Sequence, residues 1–284
     1  MRDLKGDNEM KKLCVFIIMV IFFLPATHYA EDADTGWISG RLMTEDGDPM
    51  SGGMVVFFND ATGPHPDPER YLRIPDEIGQ MDEGGRFRIR LPAGKFYMGG
   101  IRRMSGEDIG PPQDGDYFLI SRDSDGIPLS YNIEAGKSMS IGVIKGAAPY
   151  RRRMTTTGVT GITGLITDLK GGPVKGAIVF AYVTETMTGL PPFVSYKTGE
   201  DGRYFISMNE GGQYYLRVRD IYGGGPPVPG AVMGGYGEEV PTAVNVRTGE
   251  ITEYINIKVI NHLERGPKSQ TKQDVQKKGK GKMK

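Results

Sequence analysis

Apolar and polar residues alternate along many short stretches of this chain, which is typical of β-strands. Phe87, Ile89 and Leu91 are separated by single arginines, so they share one face of a strand. Residues 53–58 are almost continuously apolar, as expected for a strand that is covered on both faces. No stretch of useful length has the 3.6-residue period of an amphipathic helix. The pattern therefore predicts an all-β protein.

The hairpin over residues 82–98 recurs over residues 200–216. When Gly85 is aligned with Gly202, apolar residues fall on apolar residues at every second position of the following strand. The chain has 42 glycines and 19 prolines in 284 residues, which fits short strands joined by tight turns at intervals of about 8–12 residues. These features predict two tandem β-sandwich domains produced by duplication.

The predicted organisation has five parts. They are a signal peptide over residues 1–30, a first sandwich over 36–146, a basic and threonine-rich linker over 147–159, a second sandwich over 160–262, and a disordered lysine-rich tail over 263–284. Within the first sandwich, three prolines at residues 64–68 exclude a central strand. We therefore expect residues 61–80 to form a surface loop.

The N-terminal segment has the composition of a Sec-type signal peptide. Lys11 and Lys12 precede twelve apolar residues, a run shorter than the ~20 residues that span a bilayer comfortably. We expect cleavage after Ala30, with an uncleaved membrane anchor as the alternative. The only cysteine, Cys14, lies in this segment, so the cleaved chain has no disulfide, thiolate metal site or cysteine nucleophile.

Two longer motifs carry a resemblance to a known family. Residues 164–179 combine a Gly-Leu-Ile-Thr-Asp strand with Gly-Gly-Pro-Val-Lys-Gly-Ala, and residues 198–216 contain Asp-Gly-Arg-Tyr-Phe-Ile followed by Gly-Gln-Tyr-Tyr-Leu. This pattern resembles carboxypeptidase regulatory-like domains, which are related to Cna-B-type domains of secreted bacterial proteins. The resemblance implies a transthyretin-like (prealbumin-like), Ig-like Greek-key sandwich with a carbohydrate-binding-like fold, and an accessory rather than a catalytic role.

Catalytic motifs are not evident. His65 lies in the proline-rich segment and His262 follows the last predicted strand, and neither has the spacing of a nucleophile elbow or a zinc-peptidase motif. We therefore predict no enzymatic activity and no cofactor; a stand-alone hydrolase is the function that the sequence favours least. Asp123 and Asp125 beside Gly126 are weak calcium candidates, but such residues are also ordinary turn formers, and we predict no metal.

A Gly-Pro-Pro loop follows the hairpin in both copies, and an acidic and aromatic cluster follows each loop. Such clusters suit recognition of a protein or a polysaccharide when they are exposed; alternatively, the prolines only stiffen a long connection. The candidate binding residues are Pro111, Pro112, Asp114, Asp116 and Tyr117 in the first copy and Pro226, Pro227, Tyr236 and Glu238 in the second.

The C-terminal tail differs in charge from the rest of the chain. Residues 265–284 have a net charge of +7, whereas residues 31–264 have a net charge of −8. The tail could attract an anionic surface polymer, or serve only as a solubilising segment. We expect no nucleic acid partner, and membrane contact only through an uncleaved signal segment or the tail. The tail candidates are Lys277, Lys278, Lys280, Lys282 and Lys284.

The sequence thus predicts a non-enzymatic, exported protein of the periplasm, the outer surface or the extracellular space. Its expected role is a binding or assembly module for a protein or polysaccharide partner at the cell envelope. The alternative is an accessory or substrate-positioning subunit of an envelope enzyme or outer-membrane receptor.

Overall fold

The computed structural model describes residues 34–104, 106, 109–152, 158–222, 225–237 and 240–261. The predicted signal peptide and lysine-rich tail lie outside these residues. The described residues form strands and connections, without a helix; accordingly, none of them belongs to a helix that could cross a membrane. The strands are β1 (Thr35–Thr44), β2 (Met54–Asn59), β3 (Glu77–Gln80), β4 (Arg86–Pro92), β5 (Gly94–Arg102), β6 (Tyr117–Ile120), β7 (Ser130–Ile133), β8 (Ser138–Pro149), β9 (Thr160–Thr167), β10 (Ile178–Tyr182), β11 (Phe193–Val194), β12 (Arg203–Met208), β13 (Gly212–Arg219), β14 (Val232–Gly235), β15 (Val244–Val246), β16 (Ile251–Thr252) and β17 (Ile257–Asn261).

The two halves of the chain have the same topology. In the first half the hydrogen-bonded order is β3-β2-β5-β6-β8-β1-β4, and β7 also pairs with β5. In the second half the order is β11-β10-β13-β14-β17-β9-β12, and β15 also pairs with β13. Each path folds back on itself, so that two layers of strands enclose a core. The chain is therefore all-β, with two tandem β-sandwiches. Strand β8 continues to Pro149, three residues into the segment predicted as a linker.

The alternating pattern of the sequence accounts for the cores. In the first half, Ile38 and Leu42 of β1 pack with Phe57 of β2 and Met98 of β5, and all four side chains are inaccessible to solvent. The arginines between Phe87, Ile89 and Leu91 face outward because successive side chains of a strand point to opposite faces.

Gly85 and Gly202 hold equivalent positions in the two sandwiches. Their φ angles are +73° and +67°, a conformation that residues with a Cβ rarely adopt. The N–H of Leu42 donates to the Gly85 carbonyl and the N–H of Ile166 donates to the Gly202 carbonyl, both at 2.9 Å. A Cβ on Gly85 would lie 2.4 Å from the Leu42 carbonyl oxygen, and one on Gly202 would lie 2.7 Å from that of Ile166. Glycine is therefore required at both positions.

The proline-rich connection between β2 and β3 docks on the second sandwich. Tyr71 is only 3% exposed and belongs to the hydrophobic core of the second half, where its ring centroid lies 5.6 Å from that of Phe193. The N–H of Val194 donates to the Leu72 carbonyl at 3.1 Å, which extends the sheet beyond β11. The prediction of a surface loop over residues 61–80 is therefore wrong: residues 77–80 form β3, and two residues of the connection are buried between the sandwiches.

A second contact joins the two sandwiches next to this connection. The hydroxyl groups of Tyr150 and Tyr196 lie 3.1 Å apart, and the Tyr150 hydroxyl donates to the Pro68 carbonyl at 3.3 Å. The guanidinium carbon of Arg152 lies 3.7 Å from the centre of the Tyr196 ring, within the range of a cation–π interaction. The junction is thus fixed by aromatic packing and by hydrogen bonds together.

Candidate functional site

A cavity of about 320 Å³ lies where the two sandwiches meet. Its floor is the outer face of the sheet formed by β3, β2, β5 and β6, and its far wall comes from the second sandwich. Most of its lining is apolar, and its charged lining residues are Asp67, Arg73 and Arg103. The apolar lining residues of the strands and the far wall are Met54, Val56, Phe58, Ile78, Ile101, Phe118, Ile120, Leu190, Val194 and Tyr222. The two remaining walls are the proline-rich connection and the first Gly-Pro-Pro loop.

Arg73 holds the proline-rich connection in place. Its side chain is 2% exposed and lies 3.5 Å from the carboxylate of Asp76. Its terminal nitrogens donate to the carbonyl oxygens of Gly63, Pro64 and Asn59. Burial lowers the pKa of the Arg73 guanidinium, whereas the nearby Asp76 acts in the opposite direction. The Arg73 guanidinium binds carbonyl groups that the prolines leave without a strand partner.

Arg103 holds the first Gly-Pro-Pro loop in a similar way. It donates to the carboxylate of Asp116 at 3.0 Å and to the Pro111 carbonyl at 2.9 Å, and also to the Gly110 carbonyl. Asp116 is fully buried and also accepts the backbone N–H of Met104 at 2.7 Å. A buried carboxylate with several donors costs little because its lone pairs are satisfied. This pair therefore organises the loop that forms one wall of the cavity.

Arg73 and Arg103 also line the cavity itself. In each of them the Nε atom is buried and has no hydrogen-bond partner among the described residues. A buried N–H without an acceptor costs roughly 1–3 kcal/mol. Both Nε atoms are closed off from the cavity by their neighbours, so they are not donors for a ligand. Because Asp76 and Asp116 balance the two positive charges, the lining suits a neutral ligand better than an anion.

The structure places the candidate residues of the first copy in different environments. Pro111 and Pro112 line the cavity, whereas Asp116 is buried beneath them instead of being exposed. Asp114 is exposed and accepts the backbone N–H of Arg152 at 2.6 Å. Tyr117 packs against the core of the first sandwich, and the Arg102 guanidinium lies 4.3 Å above its ring. The loop therefore contributes its prolines, rather than its acidic and aromatic residues, to the cavity.

The second Gly-Pro-Pro loop has a different setting. Pro226 is exposed, Pro227 is partly buried, and Tyr236 packs against the core of the second sandwich. Neither proline lines the junction cavity, and Glu238 lies outside the described residues. The two loops are equivalent in sequence but differ in the contacts of their described residues: the first docks on the other sandwich, where Gly110 lies against the ring of Tyr222.

The remaining candidates behave as turn residues or lie outside the described residues. Asp123 accepts the backbone N–H groups of Asp125 and Ile127 at 3.0 and 2.9 Å, the geometry of an Asx turn. Among the described residues, no group of three His, Cys, Asp or Glu side chains could hold a metal ion. His65 packs with Tyr97, with a centroid distance of 6.1 Å. His262 and the five tail lysines lie outside the described part of the chain.

Three residues that matter most at this site were not among the sequence-derived candidates: Tyr71, Arg73 and Arg103. The available signal was the presence of arginine beside each proline-rich segment, with an aspartate three residues from Arg73 and thirteen residues from Arg103, although Arg70 and Arg102 are equally near in sequence. Proline-rich segments expose carbonyl groups that no strand satisfies, and arginine is the side chain with enough donors to bind several of them.

Burial makes the junction sensitive to high pH. It raises the pKa of Tyr71 to about 12, and Asp67 adds to this shift, whereas an unfolded tyrosine has a pKa of about 10. The contribution of Tyr71 to the free energy of unfolding is fully present below pH 10. It decreases as the pH rises towards 12, because only the unfolded state then loses the proton. We expect a loss of about 2–3 kcal/mol from Tyr71 across this window. The free energy of unfolding, measured with urea at about pH 9 and about pH 12, should decrease less between these pH values in Tyr71→Phe than in the parent chain. An equal decrease in both proteins would contradict this assignment.

Comparisons with known proteins add little to these observations. No protein-family model and no curated protein matches the chain. The Bacillus anthracis TIE protein aligns at 15% identity over 80% of this chain and 34% of its own length, with a TM-score of 0.25. A streptococcal ancillary pilin aligns at 12% identity over 83% and 64%, with a TM-score of 0.24. The Bacillus cereus major pilin subunit BcpA aligns at 10% identity over 80% and 100%, with a TM-score of 0.25. The chain therefore spans less than two thirds of the first two proteins, and at such TM-scores none of these alignments bears on its fold or function.

Proposed function

We propose that this chain is an exported, non-catalytic binding module whose site is the cavity between its two sandwiches. The observation that carries the proposal is the construction of that cavity. It is walled by two proline-rich loops, each fixed by a buried arginine with a carboxylate partner. Export rests on the basic and apolar N-terminal segment of the sequence. The two sandwiches act together, because the far wall of the cavity belongs to the second one.

The lining of the cavity defines the class of ligand. A volume of about 320 Å³ is at the lower end of the range for small-molecule sites, roughly 300–1,000 Å³. The walls are mostly apolar, and Asp76 and Asp116 balance the charges of the two arginines that line them. The ligand is therefore a small, uncharged and mostly apolar molecule.

Binding of a neutral fluorescent ketone tests this proposal. Prodan, 6-propionyl-2-(dimethylamino)naphthalene, has an apolar ring system and one carbonyl acceptor, and its emission shifts to the blue in an apolar site. We expect saturable binding of one molecule per full-length chain. Ile78 lines the cavity and is 51% exposed, so Ile78→Trp should obstruct the cavity without disturbing the core. Affinity should fall at least about tenfold, because a closed site removes most of the apolar burial.

The matched control is Ile127→Trp. Ile127 is 60% exposed on the same sandwich and does not line the cavity, so this variant adds the same side chain elsewhere and should bind Prodan like the parent chain. Absence of saturable binding to the parent chain, or equal binding by the Ile78→Trp and Ile127→Trp variants, would refute the proposed site. Thermal unfolding of each variant establishes that the fold is retained.

A further inference from the structure

The outer face of the sheet formed by β4, β1 and β8 in the first sandwich is strongly basic. Arg41 of β1 lies opposite Arg86 of β4, and Trp37 of β1 lies opposite Arg90 of β4. Arg88 lies between these two pairs on β4. The strands β1, β4 and β8 contain four arginines and one lysine but no acidic residue. This face lies on the other layer of the sandwich from the junction cavity, so the binding module proposed above does not account for it.

The side chains of this face are arranged as a row next to an aromatic ring. The guanidinium carbon of Arg88 lies 4.7 Å from the centre of the Trp37 ring, and Trp37 is 36% exposed. Nε of Arg41 donates to the Gly84 carbonyl at 2.7 Å, and Nε of Arg90 donates to the Thr35 hydroxyl at 2.6 Å. The Arg41 contact uses one edge of its guanidinium and restricts its rotation, which lowers the entropic cost of binding an anion.

The second sandwich shows that the fold does not require this face. At the strand positions equivalent to Arg88 and Arg90 it has Phe205 and Ser207, and opposite them it has Thr163 and Gly161. Arginines on an edge strand also discourage pairing with another chain. Strand β12 occupies the equivalent edge with Arg203 as its only charged residue, so a row of arginines is not needed for that purpose.

The charge of the surrounding chain makes the face distinct. Residues 31–264 carry 23 basic and 31 acidic residues, so a compact basic face lies in an otherwise acidic body. Alternate residues of a strand lie roughly 7 Å apart, so Arg86, Arg88 and Arg90 form a flat row of charges at that spacing. A densely charged partner such as a DNA duplex would meet repulsion beyond the row. A chain with sparse anionic groups would not.

We propose that this face binds an anionic polysaccharide that carries carboxylate or sulfate groups. Guanidinium groups bind both anions through paired hydrogen bonds, and the exposed part of Trp37 offers an apolar surface for a sugar ring. The site is separate from the lysine-rich tail and from the junction cavity.

Trp37 provides a direct signal because it is the only tryptophan in the chain. The probes are polygalacturonate for carboxylate, κ-carrageenan, which is sparsely sulfated, for sulfate, neutral dextran, and a short DNA duplex. All measurements use the full-length chain with Lys277, Lys278, Lys280, Lys282 and Lys284 changed to glutamine, which lowers the net charge of residues 265–284 from +7 to +2. We expect at least one of the two anionic polysaccharides to change Trp37 emission in a saturable way, and dextran to have no effect.

Two variants and one control locate the binding. Arg86→Gln with Arg88→Gln removes two exposed charges and should weaken polysaccharide binding about tenfold, as measured by calorimetry. Arg88→Phe with Arg90→Ser introduces the residues of the second sandwich, so it should keep the melting temperature and also lose affinity. The control, Lys170→Gln with Lys175→Gln, removes the same charge from exposed positions of the second sandwich and should change affinity less than twofold.

Several outcomes would overturn the proposal. An equal loss in the lysine control would show that net charge alone governs binding, and unchanged Trp37 emission at saturation would place the polysaccharide elsewhere. Equally tight binding of the DNA duplex would replace the polysaccharide site with a general polyanion surface. Because Prodan binding in the junction cavity is measured separately, failure here leaves the proposed function intact.

Discussion

Replacing Gly85 with alanine is expected to lower the free energy of unfolding of the first sandwich by about 4 kcal/mol or more. Two costs combine. The backbone at Gly85 has a φ of +73°, which costs a residue with a Cβ roughly 1–2 kcal/mol. The new Cβ would also lie 2.4 Å from the Leu42 carbonyl oxygen and 2.9 Å from the Met50 nitrogen. Backbone atoms cannot move away as a flexible side chain can, so strands β1 and β4 would have to separate locally.

Gly202 provides a replicate of this substitution in the second sandwich, and Gly47 provides a control in the first. Gly202→Ala should have a comparable effect on the second sandwich, because its Cβ would lie 2.7 Å from the Ile166 carbonyl oxygen. Gly47→Ala keeps a positive φ of +91° but meets no atom within 4 Å, so it should cost only about 1–2 kcal/mol. Urea unfolding of the three variants measures the difference. Equal losses in Gly47→Ala and Gly85→Ala would show that the steric contact with Leu42 contributes nothing.

Replacing Tyr71 with alanine is expected to destabilise the second sandwich by about 3–5 kcal/mol, although Tyr71 belongs to the first half of the chain. Its side chain is 3% exposed within the second core, it packs edge-on against Phe193, and its hydroxyl donates to the His65 carbonyl at 2.7 Å. Truncation of a buried aromatic residue leaves a cavity of that order of cost. The core of the first sandwich does not include Tyr71 and should keep its stability.

Two spectroscopic signals distinguish the sandwiches in this experiment. Fluorescence of Trp37 follows the first sandwich, whereas far-ultraviolet circular dichroism follows both. Tyr71→Ala should therefore shift part of the circular dichroism transition to lower urea while the fluorescence transition stays in place. Leu169→Ala, at a position that is 74% exposed, is the control for loss of an apolar side chain and should change neither signal. A fluorescence transition that moves together with the circular dichroism transition would contradict the separate roles.

Much of the fold could be predicted because it is specified by local patterns that occur twice. The alternating apolar residues that follow Gly85 and Gly202 form the inner faces of β4 and β12. The turns at Pro49 and Pro173 are also equivalent, since each proline forms an isolated bridge to the preceding strand in its own half. A repeated local pattern is informative because turn geometry and strand period depend only on neighbouring residues.

The site was harder to predict because it depends on contacts between distant parts of the chain. Proline content correctly excluded a central strand at residues 64–68, but it could not indicate that Tyr71 would enter the core of the other sandwich. The acidic residue Asp116 looked like part of an exposed cluster, yet it is the buried partner of Arg103. Local sequence gives the type of residue in a loop, whereas its exposure depends on what packs above it.

Because Tyr71 belongs to the first half of the chain but packs in the second core, the order in which the two halves become available affects how the second sandwich folds. A chain exported through a Sec-type signal folds after translocation, and the first sandwich also emerges first there, so the second sandwich can fold next to a neighbour that already presents the Tyr71 side chain and the Leu72 carbonyl group. Strand β11 has only two residues, and it acquires that carbonyl as a partner as soon as it forms. A nascent edge that pairs at once within its own chain is less open to pairing with another molecule. We therefore expect the first half of the protein to act as a template that protects the second half during folding.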